Sequence, residues 1–494
     1  MSVLATHEHN GCSSHRHVQI FDLTELHMTL TNHPQSPSEE FDVAAVAAQL
    51  QKVFAGGRTR NADWRIRQIE GIERFLDERE PEIVSALADD LGRSGTEAWF
   101  ADVALVKAEA TYARKRVRRW MRRRPQPLPL NQLPAVGWVQ YEPLGVVLII
   151  GPWNYPVHLA LIPLVAALAA GNVAVVKPSE VAPATSALLS YWLPRYVDPE
   201  AIVVIEGDAQ VTQDLLSQGL DQVLFTGGTE SGRRILEGAA PHLTPVLLEL
   251  GGKSPVVVAS DADLEVVARR VAWTKLFNSG QTCLAPDYVL AERSIHDELV
   301  RLIADTVTQF RADQRGRGLR IVNERQFDRL AGSLADTSGR IVFGGGSDRE
   351  TLTIDPTVIA DPDPDDVVMR EEIFGPILPV LAVDSIDEAI AFVNARPKPL
   401  AAYYFTSSRT VARKLVNAIS SGGAVVNHAA VHAMVPQLPF GGVGDSGMGA
   451  YHGKWGFQAF SHRKSVLVKS FKPDLKVIYP PYTARSVKTL RRLF

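Results

Sequence analysis

Between residues 145 and 250 five short, β-branched-rich runs (145–150, 173–177, 201–206, 222–226 and 246–250) alternate with helical stretches. This rhythm constrains the fold more than any other feature of the chain. Strands this short, separated by helix-length segments, form a parallel sheet with crossover helices. Several of the runs lead straight into Gly, Pro or Asn, at the carboxyl ends of strands where such sheets bind ligands. A second alternating region extends from Lys253 to about His462, with strands expected near 255–259, 288–291, 377–383 and 423–426. Ahead of both, residues 41–121 are helical, apolar side chains recurring at three- and four-residue steps as in Ile66, Ile69, Ile72, Phe75 and Leu76. A length of 494 residues suggests two or three domains with large cores.

Several function classes are excluded early. The net charge of −3 gives no electrostatic reason to expect a nucleic acid partner. The basic run 114–124 reads as a solvated helix end before the Pro-rich segment 125–134, the alternative being an anionic-surface patch. Two cysteines rule out a disulfide scaffold and suit a reducing, cytoplasmic compartment. The longest apolar run, 159–170, falls short of the roughly 20 residues of a membrane span and carries a proline, so a buried helix is expected. Residues 1–40 hold His7, His9, His15, His17, His27 and His33 among Ser, Asn and Pro, with neither the apolar core of a signal peptide nor the arginines of a transit peptide. They read as a disordered extension or an over-called start, with metal binding the alternative.

The chemistry gathers at the ends of the strands. Cys283 follows an apolar helical run from 266 to 277 in the sequence Phe277-Asn278-Ser279-Gly280-Gln281-Thr282-Cys283, and its only fellow is Cys12. A lone cysteine in this setting is a candidate nucleophile, provided a positive field, backbone donors or a base raise its thiolate fraction. Asn154, in Gly151-Pro152-Trp153-Asn154-Tyr155-Pro156, offers an amide N–H suited to an oxyanion. Glu249 closes an apolar strand, where burial turns a carboxylate into a usable base; a pairing with Lys253 is the alternative. The turn through Gly227, Gly228, Thr229 and Gly232 joins a strand to a helix N-terminus and lets phosphates approach the backbone, although its spacing is not that of the dinucleotide fingerprint. Lys177 and Glu180 end another strand, where they would hold ribose hydroxyls or form a surface ion pair. In Glu371-Glu372-Ile373-Phe374, adjacent acids on an extended segment face opposite ways, so one at most enters a given site.

Taken in order, GPWNYP, KPSE, FTGGTESG, LELGGKSP, FNSGQTC, EEIFGP and PFGGVGDSGMG resemble the NAD(P)-dependent aldehyde dehydrogenases, from about residue 41 to 464. CLAPDY and GMGAYHGKWGFQAFSHRKS are similar to the class 3 branch, which includes fatty, aromatic and coniferyl aldehyde dehydrogenases. The resemblance implies that Cys283 attacks the aldehyde, that the Asn154 amide and the Cys283 backbone N–H hold the oxyanion, and that Glu249 activates water to hydrolyse the thioester. It assigns the adenine ribose to Lys177 and Glu180, the pyrophosphate to the glycines from 227 to 232 with Thr229, and the nicotinamide ribose to Glu372. Phe374 then packs nearby and Trp153 lines the cofactor cleft. The cofactor is NAD or NADP; Glu180 would repel a 2′-phosphate and so favours NAD. No metal is expected at the site.

The α/β fold implied is a Rossmann-type cofactor domain (41–124 and 146–250), an α/β catalytic domain (251–462) and a small β oligomerisation element with a tail (125–145 and 463–494), assembled as a homodimer. Tyr155, Thr282 and His432, with Trp273 and Val431, flank the motifs and are candidates for the aldehyde tunnel, suiting medium-chain aliphatic or aromatic aldehydes. The histidine-rich extension departs from the class 3 pattern. So does the tail, which lacks the hydrophobic anchor of some fatty aldehyde dehydrogenases, and no stable membrane anchor is expected. A CoA-acylating enzyme is the second reading, against which Glu249 counts; a non-catalytic scaffold is the third, against which Cys283, Asn154 and Glu249 count together.

Overall fold

The computed structural model describes residues 42–93, 95–311 and 320–493. The histidine-rich stretch expected as an extension lies outside them. Helix Ala62–Glu78 starts where the Asn61 side chain accepts from the Asp63 N–H, and it buries Ile69, Ile72, Phe75 and Leu76 as their spacing predicts. The basic run that follows is tied down by acids of this helix: Arg114 pairs with Glu73 at 2.7 Å and Arg118 pairs with Asp63. It is a solvated helix end.

Strands β1 (Arg124–Gln126) and β2 (Ala135–Pro143) precede the first parallel run. That run is β3 (Val146–Ile150), β4 (Val173–Lys177), β5 (Ile202–Val204), β6 (Gln222–Gly227) and β7 (Val246–Leu250). A second run follows as β8 (Pro255–Val258), β9 (Tyr288–Glu292), β10 (Arg340–Phe343), β11 (Ser347–Asp348), β12 (Thr353–Ile354), β13 (Thr357–Ala360), β14 (Ile377–Val383), β15 (Ala401–Phe405) and β16 (Gly423–Val426). The chain closes with β17 (Gly447–Met448) and β18 (Ser461–Lys469).

The first sheet has the order β17-β7-β6-β3-β4-β5, all parallel except for β17. The chain runs outward from β3 to β4 and β5, then returns to β6 on the other side of β3. Strand order therefore reverses between β3 and β6, and a crevice opens there beyond the carboxyl ends of the strands. Helix α1 (His158–Ala170) connects β3 to β4 and is buried from Leu159 to Ala170, which is why its sequence is apolar on every side. Helix α2 (Thr229–Ala239) follows β6. The edge strand β17 comes from late in the chain and sets Gly447 opposite Glu249.

The second sheet has the order β10-β13-β14-β9-β8-β15-β16, parallel except at β10. Its β10, β13 and β15 are not among the expected strands. β15 opens with Ala401-Ala402, poor strand formers that hide a fully buried central strand. Helix α3 (Leu264–Leu276) links β8 to the segment that carries Cys283. The linker and tail meet in a third sheet, β1-β2-β18, in which β18 lies antiparallel to β2 from Ser461–Pro143 to Lys469–Ala135 within the one chain. Among the described residues no helix is long and apolar enough to cross a membrane.

Candidate active site

Three loops converge where the order of the first sheet reverses. Beyond β3, Asn154 is buried and donates from Nδ2 to the Gln281 carbonyl at 3.1 Å. Its own carbonyl accepts from Asn278 Nδ2 at 2.9 Å and from the guanidinium of Arg93. Beyond α3 the chain turns through Asn278, Ser279 and Gly280, all with positive φ. A side chain at Gly280 would put its Cβ 2.3 Å from the Gly375 carbonyl, so this turn needs glycine. Gln281 clamps the turn, donating to the Asn278 carbonyl at 3.1 Å and accepting from the Val322 N–H at 3.0 Å. Cys283 follows, half-buried and free of any disulfide.

Glu249, near the end of β7, is 3% exposed and neither carboxylate oxygen has a hydrogen-bond partner. Burial alone holds its carboxyl well above the usual carboxylate range. The alternative pairing with Lys253 does not form: that ammonium bonds to Asp287 and to the carbonyls of Val368 (2.8 Å) and Glu371 (2.9 Å). Burial, reinforced by the carboxylates of Glu372 and Glu249, pushes the Cys283 thiol up as well. Of the three routes to a thiolate, backbone N–H donors, those of Cys283 and Leu284, are present among the described residues.

Asn154, Glu249 and Cys283 line one cleft of about 720 Å³, together with Trp153, Gly227, Gly228, Thr229, Glu372 and Phe374. Glu372 rests against Gly251, where a Cβ would stand 1.8 Å from its Oε2; burial first, and Asp287 second, push its carboxyl up to about 8. Its neighbour Glu371 is exposed. Trp153 meets Phe374 edge-on, with ring centroids 5.3 Å apart. Gly228 opens directly onto the cleft, with no atom within 4 Å of where a Cβ would stand.

The remaining candidates lie elsewhere. Gly232 is buried in the first turn of α2, where a Cβ would come within 2.8 Å of Leu250, so it serves close helix–sheet packing rather than the cleft wall. Lys177 is buried at the end of β4, in register with Ile150 of β3, and forms an ion pair with the exposed Glu180 at 3.2 Å. Tyr155 and Thr282 bond to each other at 2.6 Å, and Tyr155 stacks on Phe277 at 6.4 Å. His432 packs against Gly423, 6.0 Å from the ring of Phe440; burial lowers its pKa to about 4, which keeps it neutral.

Two side chains emerge only in three dimensions. Arg93 is a buried hub that pairs with Asp102, donates to Asn278 Oδ1 at 3.0 Å and to the Asn154 carbonyl, and lies 4.4 Å from the ring of Tyr155. Tyr451 is fully buried and exchanges backbone hydrogen bonds with Phe440, which lines the cleft. The only local signal for Arg93 is its place just after Gly92, which caps a helix in the left-handed conformation. Among the described residues no cluster of three His, Cys, Asp or Glu is placed to hold a metal ion.

A doubly wound parallel sheet with a cysteine, a carboxamide and a buried carboxylate at its switch point defines an α/β enzyme of the nucleotide-binding type. A family model for the aldehyde dehydrogenase family matches residues 16–466. Aldehyde dehydrogenase family 3 member H1 of Arabidopsis thaliana is 44% identical over 458 residues, covering 92% of this chain and 95% of that protein. Aldehyde dehydrogenase family 3 member A2 of Rattus norvegicus is 44% identical over 444 residues, covering 89% and 91%. The solved substrate-bound state of Staphylococcus aureus AldH superposes with a TM-score of 0.88 at 37% identity, covering 92% of this chain and 99% of that one. The chain belongs to the aldehyde dehydrogenase family and is an oxidoreductase acting on aldehydes.

Proposed function

We propose that the protein oxidises a medium-chain aliphatic or aromatic aldehyde to its carboxylic acid with NAD or NADP, through a thioester on Cys283. The observation that carries this reading is the meeting of Cys283, Asn154 and Glu249 in a single cleft. The same cleft fits a dinucleotide. Gly227 and Gly228 open the N-terminus of α2 to phosphates, and Glu372 offers a buried, unpartnered Oε1 suited to a ribose hydroxyl. Lys177 and Glu180 stand one strand away, where the adenine ribose would extend. Glu180 disfavours a 2′-phosphate and so favours NAD. The bound cofactor supplies the hydride acceptor and a positive charge.

The chain's own residues account for the rest. Glu249 takes the Cys283 proton, and the sulfur adds to the aldehyde carbon. The Asn154 side chain and the Cys283 backbone N–H hold the oxyanion; the Gln281 carbonyl, accepting from Asn154 Nδ2, keeps that amide from turning, and Asn278 Nδ2, donating to the Asn154 backbone carbonyl, fixes its backbone. After loss of hydride leaves the thioester and Glu249 has released its first proton to solvent, Glu249 takes a proton from water as the water attacks the acyl carbon, and returns it to sulfur as the C–S bond breaks, releasing the acid and the thiol. The aromatic group Phe100, Tyr155, Trp273 and Phe277 supports an apolar substrate. The three-stranded sheet, which exposes Val136, Leu467 and Val468, is the element we assign to a cytoplasmic homodimer.

Turnover of a panel of aliphatic and aromatic aldehydes, with NAD and NADP in parallel, tests the reaction, its substrate class and its cofactor together. Silence across the panel from a folded, cofactor-binding protein would refute the reading. Glu249→Gln is expected to retain a first-turnover burst of reduced cofactor and to lose steady turnover. Because the Glu249 carboxyl titrates above the usual carboxylate range, wild-type deacylation should rise with pH along a limb displaced upward from pH 4–5. A steady-state rate independent of pH from 5 to 9 (an interval of about 4 units) would remove Glu249 from that step.

A further inference from the structure

Tyr451 is 0% exposed, and its hydroxyl has no hydrogen-bond partner within the protein. A buried hydroxyl left unpaired costs about 1–3 kcal/mol, so it calls for a partner that the protein itself does not supply. Glu249, with both oxygens unpaired, is in the same condition. The two side chains come from segments locked together by the backbone. Gly447 pairs with Glu249 at the sheet edge, and Tyr451, four residues on, exchanges hydrogen bonds of 3.0 and 2.8 Å with Phe440. Phe440 lines the cleft with Glu249 and Cys283. The Tyr451 ring is wedged edge-on between Phe440 (6.0 Å) and His452 (4.7 Å), so its hydroxyl has a fixed address. That hydroxyl lies within electrostatic reach of Glu249, Cys283 and Glu109 and bonds directly to none of them.

Building on the reading of Glu249 as the base for water, we propose that Tyr451 is a positioning residue for deacylation, holding the water that attacks the thioester. The water gives one hydrogen to Glu249 and the other to Tyr451 Oη, which turns a lone pair toward the acyl carbon on Cys283. As the carbon–oxygen bond forms, the first proton passes to Glu249. The C–S bond then breaks with its electron pair on sulfur, and Glu249 returns the proton to the thiolate. Tyr451 keeps its own proton throughout. Burial, with Glu249, Cys283 and Glu109 around it, holds that hydroxyl well above the usual tyrosine range, which suits a hydrogen-bonding partner and disqualifies it as a base. The remaining titratable neighbour, His452, is buried and kept neutral, its pKa lowered to about 3.

The test compares Tyr451→Phe with Glu249→Gln by stopped flow on an aldehyde that the wild type oxidises. Phenylalanine keeps the ring and its packing. Tyr451→Phe should form the first equivalent of reduced cofactor at the wild-type rate and turn over about tenfold more slowly in the steady state, the worth of one hydrogen bond. Hydroxylamine, supplied as a competing acyl acceptor that needs no positioned water, should restore its steady rate to the wild-type value. A wild-type steady rate in Tyr451→Phe, a first turnover slowed as much as the steady state, or no response to hydroxylamine would each overturn the proposal. The underlying reading fails separately, and visibly, if Glu249→Gln turns over at the wild-type rate. A blocked Glu249→Gln beside an unslowed Tyr451→Phe would sink the tyrosine alone.

Discussion

Cys283→Ala is expected to lose aldehyde oxidation by at least about 10⁴-fold, the scale on which removal of a covalent nucleophile is felt. Hydrolysis of activated esters should vanish with it, since both reactions place an acyl group on the same sulfur. Cofactor binding should survive, because the glycine turn at α2, Glu372 and Lys177 stand on elements that the substitution does not touch. The measurement is a thermal-unfolding series with NAD. A ligand at 100 times its Kd adds about 2.7 kcal/mol to stability, and variant and wild type should gain equally. Aldehyde oxidation within tenfold of wild type (about 1.4 kcal/mol of barrier) would remove Cys283 as the nucleophile. Loss of the cofactor-induced stabilisation would instead mean that the substitution had disturbed the cleft.

What could be read before folding was whatever depends on neighbours in sequence. The βα alternation showed the first sheet because each strand is a continuous apolar run, and the glycines of Gly227-Gly228-Thr229 marked a strand-to-helix turn in their own composition. Hidden from that reading was anything decided by distant partners. Arg93 meets Asn278 across 185 positions of chain. Gly447 returns to pair with Glu249, and with it comes Tyr451, which reads as one more core aromatic in a Gly-rich segment. Lys253, three residues beyond the end of β7, was a natural partner for Glu249, yet it turns to Asp287. Its desertion leaves the carboxylate unpaired, the condition a buried general base requires. The burial that pushes the thiol up was equally illegible, because it and the carboxyl groups that reinforce it, Glu372 among them, come from segments distant in the chain.

Arg93→Met is the other change expected to act strongly, and it acts without touching substrate. The guanidinium is fully enclosed with Asp102, whose second oxygen accepts from the Val157 and His158 N–H groups at 3.1 and 2.9 Å and so anchors the entry to α1. Methionine matches much of the arginine's length but leaves Asp102 buried without its counter-charge, and breaking such a pair costs about 3–5 kcal/mol. The urea midpoint should fall accordingly, with the slope of the transition unchanged. Activity should fall further than stability accounts for. The same guanidinium grips the Asn154 carbonyl and Asn278 Oδ1, and so sets Asn154 relative to the turn that leads to Cys283. A displacement of about 1 Å at that junction is worth about 10²-fold in rate. The loss should fall on kcat and on the first turnover alike, with cofactor affinity held. Adding Asp102→Asn to Arg93→Met removes the stranded charge and should recover part of the stability while leaving the rate low, since the grip on Asn154 is still missing. Full recovery of rate with stability would mean that Arg93 holds the fold and nothing more.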